Sequence, residues 1–561
     1  MGLSGALSTA SSSLNLFSLG IEVAGNNIAN ASTPGYINSE LVIKSSQPYK
    51  LGNLVIGTGA YAAGIRQYVD QALAGRIYSA NGDTSLSSAR NDTYQQLQNA
   101  LSALGDNDLA SQINQFIGSI QAIVNQPESD SLRSVTVSAG QQFADSIRSL
   151  RGKVDDLIGS QNDKIITLVG QVNSLIDTVR SLNPQIAQMQ SGGSDAGNLI
   201  SQRDQALSDL SKLVPIRVSP RQDGSVDVYA GSDFLVQGGN FQHLETTNAT
   251  INGVTGLQVQ TDGSKTLLNT SGGQLSGLIE GRDQILTGFE TQLDKFTAAA
   301  IYQFNQIHSS GQGTKGYSSV TGTYGVTDSN AALNAAGLAF APQNGSFQIS
   351  VKDLGTGLVT SSNIAINLNG TGSDTTLSSL QAALSAVGNV TASVTSDGKL
   401  QISTDSGHEI TFGSDTSGVL ASLGINTFFT GTDSSNIQVN DVLKNDPGYL
   451  ATGQGGGASD NRNAVLLAGA FDQAVGSLNG LSVSQFYNQT ASGLAQSAAG
   501  EAAVSSGLQG FADALTAQRE QQSGVNLDEE VIKILQFQHN YQAAARIITT
   551  VEKLMDTLLQ L

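Results

Sequence analysis

Apolar residues recur at alternating steps of four and three at both ends of this 561-residue chain. That spacing is typical of the a and d positions of a coiled coil, where the apolar side chains of one helix pack against another helix. The sequence therefore predicts a terminal helix at each end, pairing either with each other or with helices of neighbouring subunits. The first repeat contains Leu3, Leu7, Ala10, Leu14, Phe17, Ile21, Ala24 and Ile28, and the second contains Ile534, Phe537, Tyr541, Ala544, Ile548, Val551, Met555 and Leu558.

The N-terminal repeat stops abruptly in the segment NNIANASTPGY, from Asn26 to Tyr36. Asn30 tolerates the left-handed conformation of a helix end, and Pro34-Gly35 fits the centre of a type II turn. The sequence therefore predicts that the first helix ends near Asn30 and is followed by a tight turn. An ordinary surface turn also explains Pro34-Gly35, but it does not explain the asparagines that precede it.

The last helix has a clear predicted start. Asn526 is followed three residues later by Glu529, which resembles a capping box, and Asp528 to Glu530 place negative charge where a helix N-terminus favours it. The final helix is therefore expected to begin at about Asn526.

The chain between these ends has helical and β-type segments. A heptad pattern from about 131 to 182 predicts a long helix that Asn183-Pro184 ends or kinks, and 214–239 reads as a small hairpin around an Asp-Gly turn. Helical patterns also cover 275–308 and 462–522. In 311–432, strand-like segments alternate with Gly-rich turns around one short helical segment, which predicts a β-rich region.

The predicted fold class is α + β and multidomain: terminal heptad helices form a coiled-coil layer, and the rest is a long-helix bundle domain with a small hairpin and an inserted β-rich domain. The expected boundaries follow from these patterns. They are 1–36 together with 523–561 for the coiled-coil layer, 37–310 and 441–522 for the helical domain, and 311–440 for the insertion.

Composition excludes several classes of function. A net charge of -19 without any local Lys/Arg cluster disfavours nucleic acid, because phosphate binding depends on positive charge. No apolar run reaches the ~18 residues of a membrane span. The first basic residue is Lys44, so a Sec-type basic N-terminal region is missing, and the absence of cysteine excludes disulfides and thiolate chemistry.

The sequence also offers no active site, metal site or cofactor site. Its four histidines, at 243, 308, 408 and 539, lack metal-ligand spacing, and His308 and His539 are expected to be structural. The segment GQGTKG at 311–316 fits G-x-G-x-x-G, but it follows a helical pattern and leads into a loop, so it is interpreted as a linker. We therefore expect no catalytic residues, no metal and no cofactor.

Two terminal segments resemble those shared by axial proteins of bacterial flagella: LFSLGIEVAGNNIANASTPGY and EEVIKILQFQHNYQAAARIITTVEKLMDTLLQL. The middle resembles the hook-associated protein 1 (FlgK) family in NLISQRDQALSDLSKLVPIRVSPRQDGSVDVYAGSDFLVQGG, GGQLSGLIEGRDQIL and INTFFTGTDSSNIQVN. A hook or rod protein would lack the pairs Arg203-Asp204 and Arg282-Asp283. Ile37-Asn38 departs from the polar, Ser-Arg-like continuation that the family would have.

The resemblance implies a structural junction protein, exported unfolded through the flagellar type III channel and located outside the cell between hook and filament. Its implied partners are further copies of itself in a ring, the hook protein, the third hook-associated protein and a cytoplasmic export chaperone on the C-terminal helix. The β-rich insertion would be an outer domain. The alternatives are another axial protein of hook or rod type, or an adhesin or enzyme displayed on that scaffold.

In this interpretation the terminal helices and the Asn-rich stop make the contacts between subunits. The expected contact residues are Leu3, Leu7, Leu14, Phe17, Ile21, Asn26, Asn27, Ile28, Asn30, Pro34, Gly35, Tyr36, Ile534, Phe537, Tyr541, Ile548, Val551, Met555 and Leu558. Two assembly mechanisms stay open: the helices order only on joining the flagellum, or they pair within the monomer and dock as a preformed hairpin.

Overall fold

The computed structural model describes residues 3–33, 35–51, 54–67, 69–102, 108–191, 196–251, 254–268 and 271–560. The helices in chain order are α1 (Leu3–Ala29), α2 (Gln71–Ser102), α3 (Leu109–Asn125), α4 (Asp130–Ser191), α5 (Gly197–Leu213), α6 (Gly273–Glu280), α7 (Thr287–Ser309), α8 (Leu377–Ser385), α9 (Val419–Leu423), α10 (Asp441–Asn445), α11 (Arg462–Ala468), α12 (Val483–Ser523) and α13 (Leu527–Leu559). A π-helical segment, Gly281–Leu286, connects α6 to α7.

The strands pair in antiparallel fashion in seven small sheets of the described residues. They are β1 (Ser39–Ser45), β2 (Tyr49–Leu51), β3 (Leu54–Ile56), β4 (Ala60–Gln67), β5 (Arg217–Pro220), β6 (Val226–Ala230), β7 (Asp233–Gln237), β8 (Asn240–Phe241), β9 (Leu244–Ile251), β10 (Val254–Thr261), β11 (Ser319–Gly325), β12 (Gly345–Asp353), β13 (Val359–Ile366), β14 (Val390–Val394), β15 (Lys399–Thr404), β16 (His408–Gly413), β17 (Phe429–Thr430) and β18 (Gln438–Val439). The expected mixture of helices and sheets is confirmed.

The chain divides into two compact units. Unit 1 comprises Met1–Thr93, Ser160–Asp283 and Ala499–Leu561, and unit 2 comprises Tyr94–Gly159 and Gln284–Ala498. The chain therefore passes between the units several times. The layout expected from the sequence, three domains made of five segments, stays a prediction, because the two compact units divide the helical and β-rich segments differently.

Unit 1 has a core in which α4 and α5 pack with the sheet β5-β6-β7-β8. Val226 and Val228 alternate inward along β6, as the period of two predicts. The hairpin expected at 214–239 is therefore present but is part of a four-stranded sheet, and its turn at Asp223-Gly224 is confirmed by a φ of +82° at Gly224. Residues 39–67, assigned by the sequence to the helical domain, contain the four strands β1 to β4.

The long helix continues beyond the position where the sequence predicts its end or a kink. Helix α4 includes Pro184 and extends to Ser191. The neighbouring Asn183 is buried, donates to the Val226 carbonyl over 2.8 Å and accepts from the Val226 N–H over 3.2 Å. A helix interior normally disfavours proline, but here the tertiary contacts of Asn183 tie this part of the helix to β6.

Unit 2 has a large aromatic core built mainly by α3, α4 and α7. Phe116 lies at its centre, with its ring centroid 5.1 Å from that of Phe304 and 5.4 Å from that of Phe428. These spacings are typical of favourable offset and edge-on aromatic pairs. The buried phenylalanines are Phe116, Phe143, Phe289, Phe296, Phe304, Phe428, Phe429 and Phe471.

The β-rich segment has a second hydrophobic cluster within unit 2. The sheets β11-β15-β14 and β13-β12-β16 bury one face each, for example through Ile349 and Val351 of β12. The single short helix expected here is α8, which begins with a capping box formed by Thr376 and Ser379. The predicted β-rich texture is thus present, but the segment contains a second short helix, α9, that the sequence did not indicate.

Candidate subunit-interaction surface

Helices α1 and α13 pack against each other within one chain. The rings of Phe17 and Phe537 lie with their centroids 6.4 Å apart. Gly20 lies directly against Phe537, because a Cβ built on Gly20 would be 2.8 Å from the Phe537 ring. Of the two pairings left open by the sequence, this structure contains the pairing of the termini with each other.

Small residues form much of the face of α1 that the chain buries. The buried residues of α1 are Ala10, Leu16, Gly20, Val23, Ala24 and Asn27. The predicted repeat shares Ala10 and Ala24 with this buried set, whereas its larger members, Leu3, Leu7, Leu14, Phe17, Ile21 and Ile28, are only half-buried. Small side chains allow close approach of two helices, and the larger residues of the repeat keep part of their apolar surface exposed.

Helix α13 follows its predicted repeat closely. Ala544 and Val551 are buried, and Ile534, Phe537, Ile548 and Met555 are half-buried. The other two members differ, since Tyr541 is 40% exposed and Leu558 is 62% exposed. The repeat therefore identifies the face of α13 that packs on α1, and two of its members remain on the surface.

Among the residues of the Asn-rich segment 26–36, Asn27 makes the main hydrogen bonds to other elements. Its side chain is fully buried, and its amide donates to Glu530 Oε2 on α13 over 2.9 Å and to the Ser39 carbonyl over 2.8 Å. Its Oδ1 accepts from the Ser39 N–H over 3.1 Å and from the Tyr36 hydroxyl over 3.0 Å. One asparagine thus connects the end of α1, the start of β1 and the first turn of α13.

The other members of the stop close the turn. The Asn30 side chain donates to the Asn26 carbonyl over 3.0 Å at the end of α1. Gly35 has a φ of +76°, a left-handed conformation that favours glycine. Pro34 lies outside the described residues. The contacts of Asn27 and Tyr36 are within the chain, and a role of this segment towards neighbouring subunits stays a prediction.

Glu530 has a role that its sequence context does not indicate. Its place in the first turn of α13 predicts an interaction with the helix dipole, but its side chain is 1% exposed and pairs with Lys533 Nζ at 2.6 Å as well as with Asn27. A buried carboxylate requires such partners to offset its desolvation. The only available signal in the sequence was the i, i+3 spacing of Glu530 and Lys533, which many solvated helices share.

Large apolar side chains remain exposed on both sides of the α1–α13 contact. Leu527, Val531 and Leu535 are 51%, 48% and 51% exposed, and Ile547, Leu554 and Leu558 are 51%, 49% and 62% exposed. At 3.6 residues per turn the first three lie on one side of the face that meets α1 and the last three lie on the other side. We call these sets the early flank and the late flank; both are unpartnered apolar surfaces.

The described residues contain no cluster of three or more potential metal ligands, and none of their helices is long and apolar enough for a membrane span. His308 is structural, as expected. It is fully buried, its Nδ1 lies 2.8 Å from the Asn426 carbonyl, and its Nε2 accepts from the Ala451 N–H over 3.1 Å. Burial lowers the pKa of His308 to about 4, so the imidazole is neutral at pH 7.

Three family models match parts of the chain. The flagellar hook-associated protein FlgK helical domain matches residues 94–322. The C-terminal model of the flagellar basal body rod FlgEFG proteins matches 517–561, and the flagella basal body rod protein model matches 7–36. The two shorter matches coincide with the terminal helices.

Relatives named flagellar hook-associated protein 1 match the chain over its full length. The protein from Escherichia coli strain K12 is 27% identical, with 100% of both chains covered. Those from Salmonella typhimurium and Bacillus subtilis are 25% and 23% identical, with 100% and 99% of this chain covered. Among solved structures, the flagellar hook junction protein FlgK from Burkholderia pseudomallei aligns with a TM-score of 0.53 and 14% identity, over 80% of this chain and 99% of that one, which shows a shared fold.

Proposed function

The chain belongs to the flagellar hook-associated protein 1 family, and we propose that it serves as the structural adaptor between the hook and the filament. The observation that carries this proposal is the α1–α13 pair with its two exposed apolar flanks. Two different flanks on one helix pair favour head-to-tail contacts, in which the early flank of one subunit meets the late flank of the next. Contacts of that type close into rings or continue as helices.

The proposed partners follow from this position. Further copies of the chain form the ring, the hook protein lies on one side, and the third hook-associated protein lies on the other. A cytoplasmic chaperone that covers α13 before export would shield its exposed apolar residues. The adaptor would leave the cell unfolded through the type III channel and act outside it, in agreement with a chain that has no cysteine to mispair.

The family consists of structural proteins of the flagellum, so we assign the chain no catalytic reaction. Its full-length relatives carry the name of a hook-associated protein, which favours this role over that of a hook or rod subunit. No observation on the β-rich segment favours a displayed enzyme or adhesin.

Deletion of the gene tests the proposal. We expect hooks without filaments under the electron microscope and flagellin in the medium, because filament subunits that find no adaptor are lost. Normal filaments on the deletion strain would contradict the adaptor role.

Complementation with surface variants then tests the flanks. Val531→Asp on the early flank and Leu554→Asp on the late flank should each fail to restore filaments, because a charge would be buried without a partner at the contact, a loss of several kcal/mol. Leu358→Asp is the matched control, since Leu358 is 68% exposed in the turn between β12 and β13. Filaments on both flank variants would show that these surfaces do not mediate assembly.

A further inference from the structure

Unit 1 contains a cleft that is lined by no residue of α1 or α13. Its volume is about 400 Å³, at the lower end of the range for small-ligand sites. The end of β4, helices α2 and α5 and the first strands of the sheet β5-β6-β7-β8 line it. It includes Arg203-Asp204, the first of the two Arg-Asp pairs that resemble the hook-associated protein 1 family.

Arg203 is held in this cleft with one donor left over. The side chain is 7% exposed, its Nη1 donates to the Gly224 carbonyl over 2.7 Å, and its Nη2 lies 3.5 Å from Asp204 Oδ1. Its Nε–H is buried and has no acceptor among the described residues. A buried guanidinium N–H without an acceptor costs free energy. The positive charge of the guanidinium group favours an oxyanion in the adjoining cleft.

The turn between β5 and β6 explains why Arg203 is so well fixed. Gly224 has a φ of +82°, a left-handed conformation that favours glycine. The predicted Asp223-Gly224 turn therefore presents its carbonyl to the guanidinium. The Arg282-Asp283 pair differs, because Arg282 uses its Nε on Asp283 at 2.6 Å and its Nη1 on Asn162 at 2.8 Å.

The remaining charges of the cleft are mainly positive. Arg217 forms no ion pair among the described residues, and its Cζ lies 4.4 Å from the centroid of the Tyr229 ring. Arg221 forms an ion pair with Asp227, with its Nη1 3.4 Å from Asp227 Oδ2. Asp204 is the carboxylate of the cleft, and burial raises its pKa, which weakens its competition with an incoming anion. A basic cleft stands out in a chain with a net charge of -19.

The apolar part of the lining indicates what kind of anion fits. Leu207, Ile216, Val218 and Val226 contribute hydrocarbon surface beside the guanidinium groups. We infer that this cleft binds a carboxylate carried on an apolar body, with the guanidinium groups of Arg203 and Arg217 as its donors.

Calorimetric titration of the full chain at constant ionic strength tests this inference. Valerate should bind, and acetate and inorganic phosphate should bind more weakly, because they lack the apolar body. Arg203→Gln should weaken valerate binding by about tenfold or more, the usual effect of losing a charged hydrogen bond. No valerate binding, or equal binding of phosphate, would overturn the inference.

Two exposed arginines keep the test decisive if Arg203→Gln does not fold. Arg217→Gln should weaken valerate binding severalfold, whereas Arg180→Gln should leave it unchanged. Arg180 is a matched control, because it also lies over an aromatic ring but does not line this cleft. Its Cζ is 4.0 Å from the centroid of the Phe241 ring. Equal losses in the two variants would attribute the binding to general charge and overturn the site.

The source of the carboxylate is resolved by a second ligand. Tighter binding of the capped tripeptide acetyl-Leu-Glu-Leu-amide than of valerate would identify an acidic side chain of a protein segment, and the reverse order would identify a free acid. Both results support a carboxylate site. If no carboxylate binds, the proposed junction function is unaffected, because deletion of the gene tests that function separately.

Discussion

The aromatic core of unit 2 and the α1–α13 pair use phenylalanine in opposite ways. Phe116 and Phe304 are fully buried among other phenylalanines of the same unit, so that core is complete within one chain. Phe17 and Phe537 meet each other but are only half-buried, and large aliphatic residues beside them are about half exposed. The difference teaches that unit 2 is stabilised by its own packing, whereas the terminal pair leaves apolar surface exposed, which we propose neighbouring subunits cover.

The largest expected effect concerns the core. Phe116→Ala should reduce the free energy of unfolding of unit 2 by about 3–5 kcal/mol, because it removes a fully buried ring and leaves a cavity. Phe511→Ala is the matched control at 50% exposure and should change stability by less than about 0.5 kcal/mol. Urea denaturation measures both, and similar losses would contradict the distinction between complete and incomplete packing.

The next effect is a pH dependence of unit 2. The pKa of His308 is about 4 in the folded state, below its ordinary value of 6.5, so the unfolded state takes up the proton first as the pH falls. The contribution of His308 to stability is therefore constant above about pH 7 and decreases towards pH 4, with a loss of about 2 kcal/mol between pH 7 and pH 5. Denaturation curves at these pH values measure the loss. His308→Gln should remove this contribution and His539→Gln should retain it; an unchanged slope in His308→Gln would refute the assignment.

Asn27→Ala probes the terminal pair. It deprives buried Glu530 of its amide donor and should destabilise the α1–α13 contact by about 1–3 kcal/mol. Hydrogen exchange of α1 and α13 should become faster while that of unit 2 is unchanged. Asn26→Ala, at an exposed neighbouring position, serves as control. Unaltered exchange in Asn27→Ala would mean that this hydrogen-bond network does not hold the pair.

The smallest expected effect comes from the same substitution at two glycines of α1. Gly20→Ala should weaken the pairing with α13 by about 1 kcal/mol, because its Cβ would overlap the Phe537 ring. Gly25 has open space around it, so Gly25→Ala should stabilise α1 by up to about 1 kcal/mol through helix propensity. Opposite signs in thermal unfolding support the packing described here, and equal signs would argue against it.

The sequence predicted features with a local cause. The repeat of α13, the cap at Asn526 and the Asp223-Gly224 turn depend on neighbouring residues, and all three are present. The sequence did not predict features that depend on contacts between residues far apart in the chain. Asn183 holds α4 to β6 beyond Pro184, and Glu530 is buried against Asn27, which is distant in the sequence.

The predicted contact residues of α1 illustrate the same limit. Spacing selected the larger residues of α1, whereas close approach to Phe537 requires the small residue Gly20. A repeat of apolar residues identifies a helix that has partners, but it does not distinguish the face for the same chain from the face for a neighbour. That distinction became visible only from the exposure of each side chain.

Thiol labelling tests most directly the claim that neighbouring subunits complete the terminal pair. The chain has no cysteine, so Val531→Cys, Leu554→Cys and the control Leu358→Cys each introduce a single reactive thiol. We expect a maleimide to label all three in the free chain. In assembled flagella only the control should still react, because the early and late flanks are then covered. Equal labelling of the flank cysteines before and after assembly would contradict this account.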